Sequence, residues 1–108
     1  MPSYLVQASY TSESMASLIK NPQNRADVVR KAVKNLGGKL VGGWLSFGDY
    51  DVALIAELPD HVSAAAIAMA AAAGGSLRAI KTTPLLTFEE GLEAAKKAAG
   101  SGYTPVQK

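Results

Sequence analysis

Phe47-Gly48-Asp49-Tyr50-Asp51 decides the fold, because it separates two apolar runs and sets which of their residues share a face. A glycine in the first central position suits a type II′ turn, so Gly48-Asp49 predicts a hairpin between strands over 39–47 and 50–58. Counting back from that turn pairs Phe47 with Tyr50, Leu45 with Val52, Gly43 with Leu54 and Val41 with Ala56 on one face. That face is apolar throughout and is expected to meet the core. The other face pairs Ser46 with Asp51, Trp44 with Ala53, Gly42 with Ile55 and Leu40 with Glu57. It mixes polar and apolar groups, so a ligand or a second subunit belongs there.

Working outward, Ser3 to Tyr10 is rich in β-branched and aromatic residues and predicts a first strand, with Thr11-Ser12 offering capping hydroxyls to a helix. Met15, Leu18 and Ile19 start an apolar stripe that Asn21-Pro22 interrupts. Ala26, Val29, Val33 and Leu36 resume it until Gly37-Gly38. Pro22 leaves two helices or a single kinked one. Asp60 reads as the cap of a further helix whose stripe is Val62, Ala66, Met69 and Ala73. Ser76 to Leu86 predicts the fourth strand, with Pro84 marking an edge. Thr87 and Glu90 make a capping box for a terminal helix with Phe88, Leu92, Ala95 and Ala99 on its apolar side.

The order β-α-β-β-α-β with an added C-terminal helix is an α+β, ferredoxin-like two-layer sandwich with a four-stranded antiparallel sheet. Residues 1–100 are expected to form one domain and 101–108 a linker-like tail. Both helices cover one side of such a sheet. Its bare side, with Trp44, Ile55, Leu40 and Ala53, would expose an apolar patch in water, which predicts a homodimer or a larger assembly with sheets facing each other.

Composition narrows the function classes. The chain has 108 residues, 48% of them apolar, and a formal charge of +2. Its eleven basic residues are scattered, which gives no electrostatic footprint for nucleic acid. The absence of cysteine excludes disulfides and thiol chemistry. No stretch has the length or hydropathy of a membrane span, and the amino terminus lacks the pattern of a signal peptide, so the expectation is a soluble, cytoplasmic protein without a membrane partner.

Tyr4-Leu5-Val6, Asn21-Pro22-x-x-Arg25 before a helix ending at Leu36-Gly37-Gly38, Gly48-x-Tyr50-Asp51, and the later Thr82-Thr83 and Phe88 together resemble the GYD domain family of small bacterial proteins, over roughly residues 3 to 90. The resemblance implies a ferredoxin-like fold of the dimeric α/β-barrel type and carries no established activity with it. The alanine-rich helix and the extension beyond Ala99 depart from the family pattern.

The candidate ligand-binding residues are Trp44, Ser46, Tyr50 and Asp51. Asp51 could exchange a proton in a partly enclosed site, but an aspartate beside a turn more simply accepts backbone hydrogen bonds. Tyr50 could point into a pocket or form an aromatic cross-strand pair with Phe47. Trp44 could stack on a planar ligand or anchor an interface, and aromatic enrichment at interface cores favours the second. His61, the sole histidine, is expected to be solvated in the first turn of its helix. With neither a second histidine nor cysteine, no metal or cofactor site is expected. Arg25, Arg30 and Lys34 could hold an anion or merely face solvent. The glycine pairs do not spell a phosphate loop.

Three functional classes follow. The first is a homo-oligomeric module with a small organic ligand at the open sheet face. The second is a cofactor-independent oxygenase or isomerase using Asp51 or His61 as a base. The third is a purely structural assembly protein. An RNA-recognition module shares the strand order, but Tyr50-Asp51-Val52-Ala53-Leu54-Ile55 lacks the alternating aromatic and basic residues it needs.

Overall fold

In the computed structural model, which describes residues 1–106, eight elements follow one another: β1 (Ser3–Tyr10), α1 (Ser12–Lys20), α2 (Ala26–Asn35), β2 (Lys39–Leu45), β3 (Val52–Glu57), α3 (His61–Ala73), β4 (Leu77–Leu85) and α4 (Phe88–Ala99). The strands form an antiparallel sheet in the order β2-β3-β1-β4. This is the ferredoxin-like α+β arrangement, and it places β2 and β4 at the two edges. Gln107 and Lys108, the end of the expected tail, lie outside the described residues.

Local chemistry explains the boundaries. The Thr11 hydroxyl accepts from Ser14 N at 3.1 Å to cap α1, and Asn24 Oδ1 accepts from Ala26 N at 2.9 Å to start α2. The chain around Pro22 therefore separates two helices of similar length. α2 ends in a Schellman motif: Gly38 N donates to Val33 O and Gly37 N to Lys34 O, with Gly37 at φ +81°. A side chain on Gly38 would run into the Glu57 carbonyl and Leu58, so this glycine lets β2 begin close beside the end of β3.

Alternate residues of β1 point into the helix layer. Tyr4, Val6 and Ala8 are buried there, with Ala56, Leu58, Val33 and Ala64, and with Leu54, Ile67 and Ile80 packed against them. Thr82 faces Val6 across the β1–β4 ladder, and its hydroxyl is buried without a hydrogen-bond partner.

Three expectations need correction. The hairpin does not close in two residues: the last pair is Ser46 N donating to Asp51 O at 2.8 Å, and Gly48 sits at φ +146° within a wider loop. Phe47 is 100% exposed, so it makes no aromatic pair with Tyr50, and Leu45 also lies outside the helix cover. In β2 the register shifts between Leu40 and Gly42. The extra residue at this bulge, Val41, moves Leu40 opposite Ala56 on the helix-covered side and brings Lys39 opposite Glu57.

α3 is rotated relative to the expected stripe. Ala64 is buried and Ile67 packs on the core, whereas Val62 and Met69 are 79% and 71% exposed. With alanine on every side, the pattern alone cannot orient this helix, and the larger Ile67 takes the inner position.

Candidate functional site

The open side of the sheet is laid out by the strand register. Trp44, Ala53, Gln7 and Lys81 form one row across the four strands, Gly42, Ile55, Leu5 and Thr83 the next, and Lys39, Glu57, Ser3 and Leu85 the third. α4 borders this side at the third row, where Glu90 shares a concavity with Ser3, Ile55 and Leu85. The Trp44 indole lies back over Gly42, where a β-carbon would come within 2.9 Å of the ring. Glycine thus gives the indole its seat on the sheet.

The other candidates have structural partners. Asp51 Oδ2 accepts from Tyr10 N at 2.9 Å, and Asp51 N donates to Ala8 O at 2.8 Å. The side chain supplies an acceptor where the β1–β4 register becomes irregular at Ser9/Tyr10. The Ser46 hydroxyl donates to Tyr50 O at 2.7 Å, and buried Ser9 donates to Asp49 O at 2.8 Å. These bonds tie the 46–51 loop to the end of β1 and place Ser46, Tyr50 and Asp51 together beside the row that holds Trp44.

Two concavities lie elsewhere. One of about 540 Å³ opens at the third row, lined by Ser3, Ile55, Leu85, Leu86, Thr87 and Glu90 among others. A second, of about 280 Å³, lies at the start of α1 and is lined by Tyr10, Glu13, Ser14, Gln23 and Arg25 among others. Trp44, Ser46, Tyr50 and Asp51 line neither. Arg30 pairs with Asp27 at 3.0 Å on an exposed helix face, which accounts for it without a bound anion.

The sequence reading missed one polar pair. The Tyr4 hydroxyl is 2.8 Å from His61 Nδ1, with the rings edge-on at 6.0 Å, although His61 itself is exposed. The register of β1 relative to α3 produces this pair, and no local motif encodes it. Next to it, Asp60 Oδ1 accepts from Ser63 N at 2.8 Å. That backbone hydrogen bond, with the Ser63 side chain and His61 as further causes, lowers the Asp60 pKa from its usual 3.8. Among the described residues no group of histidine, aspartate and glutamate is arranged to hold a metal ion, and no helix is long and apolar enough to cross a membrane.

The open face is therefore a broad, shallow surface of mixed polarity, better shaped for a macromolecule than for an enclosed ligand. No solved structure matches the chain significantly. A protein of Thermus thermophilus named glutamine synthetase and cystathionine beta-lyase binding protein is 26% identical over 78 residues, which cover 72% of this chain and 82% of that protein. The model of the GYD domain family matches residues 4–95, nearly the whole of the four strands and the helices between them, and the chain belongs to that family.

Proposed function

We propose that the protein is a homo-oligomeric protein-binding module. Two copies bury their open sheet faces against each other, and the outer side of α3 receives a partner enzyme. The observation that carries this reading is the composition of α3. Val62 and Met69 stand 79% and 71% exposed along a face continued by exposed Ala65, Ala72 and Ala73, and no residue from Val62 to Ala73 is charged. A surface helix ordinarily turns charged side chains to water, so an uninterrupted apolar outer stripe suits a partner. Because α3 lies across the sheet from Trp44, both surfaces can be occupied at once. The name of the T. thermophilus relative supports an enzyme as that partner.

The test is surface-based binding of purified glutamine synthetase and cystathionine beta-lyase from the same organism to the wild type and to a Val62→Lys, Met69→Lys variant. Saturable binding that the variant loses, with unchanged circular dichroism, is the expected result. Failure to bind either enzyme overturns the adaptor role.

A second reading keeps a small organic ligand on the open face. It is favoured by the exposed Trp44 ring beside Gly42, on which a planar molecule could stack, and by the 540 Å³ concavity at the far row. Saturation of Trp44 fluorescence by such a molecule would support it. Catalysis is the weaker alternative, since the Asp51 carboxylate already serves Tyr10 N.

A further inference from the structure

Glu13, Ser14, Ser17 and Leu18 fall on one side of α1 at helical spacing, and all four line the 280 Å³ concavity. α1 has no buried residue, so this stripe serves the groove and not the core. The connection after α1 brings Gln23 and Arg25 to the same concavity, and the start of β4 brings Ser76. Thr11 N donates to Ser76 O at 3.0 Å, which ties the first turn of α1 to β4 and fixes that part of the wall. None of the lining residues belongs to the open-face rows or to α3, so the groove is separate from both surfaces of the protein-binding reading.

Two opposite charges border this space without meeting. Among the described residues the ion pairs are Arg30 with Asp27 and Lys97 with Glu93, which leaves Arg25 and Glu13 unpaired. Arg25 reaches Gln23 Oε1 at 3.5 Å, too long for a strong hydrogen bond. The Thr11 hydroxyl accepts from Ser14 N at 3.1 Å and donates to Ser14 Oγ at 2.9 Å, so the proton of Ser14 itself is left for a group in the groove. We propose that the groove binds a free α-amino acid with a polar, uncharged side chain. Arg25 takes the carboxylate, with Ser14 as a further donor, and Glu13 takes the ammonium group. The carbon chain rests on Leu18, with Ser17 and Gln23 near its polar end. A simple anion would be repelled by Glu13 and a simple cation by Arg25, whereas a zwitterion is attracted by both. The volume lies just below the roughly 300–1,000 Å³ of drug-sized sites, which suits a molecule of this size.

The test is amide NMR titration of the wild type with L-glutamine and with L-serine. Glutaramate, which lacks the ammonium group, L-glutaminamide, which lacks the carboxylate, and inorganic phosphate are titrated beside them. Arg25→Gln and Glu13→Gln, both at exposed positions, are compared after circular dichroism shows that they are folded. The expected result is saturable shifts confined to the start of α1, the chain around Arg25 and Ser76. Each variant should weaken binding about tenfold or more, and so should each deleted analogue in the wild type. Because the analogues act on the unaltered chain, the outcome does not depend on the variants folding. Glutaramate or phosphate binding as tightly as the amino acids makes this an anion site only, and overturns the proposal. So do shifts centred elsewhere on the molecule, or no saturation by either amino acid at millimolar concentration.

Discussion

Gly42 and Trp44 show how one residue's missing side chain places another's large one. The indole occupies space that a β-carbon at Gly42 would contest, so Gly42→Ala should leave the strand paired while turning the ring off the sheet. A shifted Trp44 emission maximum with unchanged circular dichroism is the expected outcome, and an unchanged emission would show that the ring has another seat. Thr82 allows a test of opposite sign. Its buried hydroxyl lacks a partner, and an unsatisfied buried polar group costs roughly 1–3 kcal/mol. Thr82→Val, nearly the same in shape, should therefore raise the unfolding free energy by about 1 kcal/mol, read from the urea midpoint. Asp51 was legible from sequence as an acceptor of backbone hydrogen bonds beside the turn. Its donor, Tyr10 N, lies forty-one residues away, and no local spacing could have named it.

At the scale of elements, the strands and capped helices could be read because each has its own punctuation: Thr11, Asp60 and Thr87 at helix starts, and Gly37 at the end of α2. The rotation of α3 and the bulge at Val41 could not. Both are chosen by packing across the sheet, where an alanine-rich helix offers no distinct side and one inserted residue reverses the faces. Gly38 tests that packing. A methyl group there meets the Glu57 carbonyl, and because backbone cannot yield as a side chain can, Gly38→Ala should destabilise the fold by roughly 1–3 kcal/mol in denaturant titration. Asp60 tests the α3 cap through pH. Its pKa is lowered in the folded chain by the Ser63 backbone hydrogen bond, so its contribution is present above the unfolded value near 3.8 and is lost as pH falls through the lower folded value. In Asp60→Asn, which keeps an accepting oxygen, this part of the acid-induced loss of stability should disappear. An unchanged acid profile would assign the loss to other carboxylates.

For the whole molecule, the fold was more legible than the site, because alternation and caps fix layers whereas a surface acquires meaning only from what covers it. Of the four residues expected at the site, Asp51 and Ser46 have their side-chain oxygens engaged within the chain, by Tyr10 N and by Tyr50 O respectively. The open face is of mixed polarity but carries few charges, and that determines how the proposed dimer should respond to solvent. The three rows of the open face hold the charged residues Lys39, Glu57 and Lys81 among nine uncharged ones, and the net charge of the chain is only +2. Long-range repulsion between copies is therefore weak, and ion pairs have few members to draw on. Raising the salt from about 0.1 M to about 0.5 M shortens the screening length about twofold and should change the dimer dissociation constant by no more than about threefold. Cooling should act more strongly, since apolar burial loses driving force at low temperature. Light scattering across both series decides the matter. A dimer that salt weakens by an order of magnitude is held by charge, and the apolar residues of the sheet face are then not its principal contact.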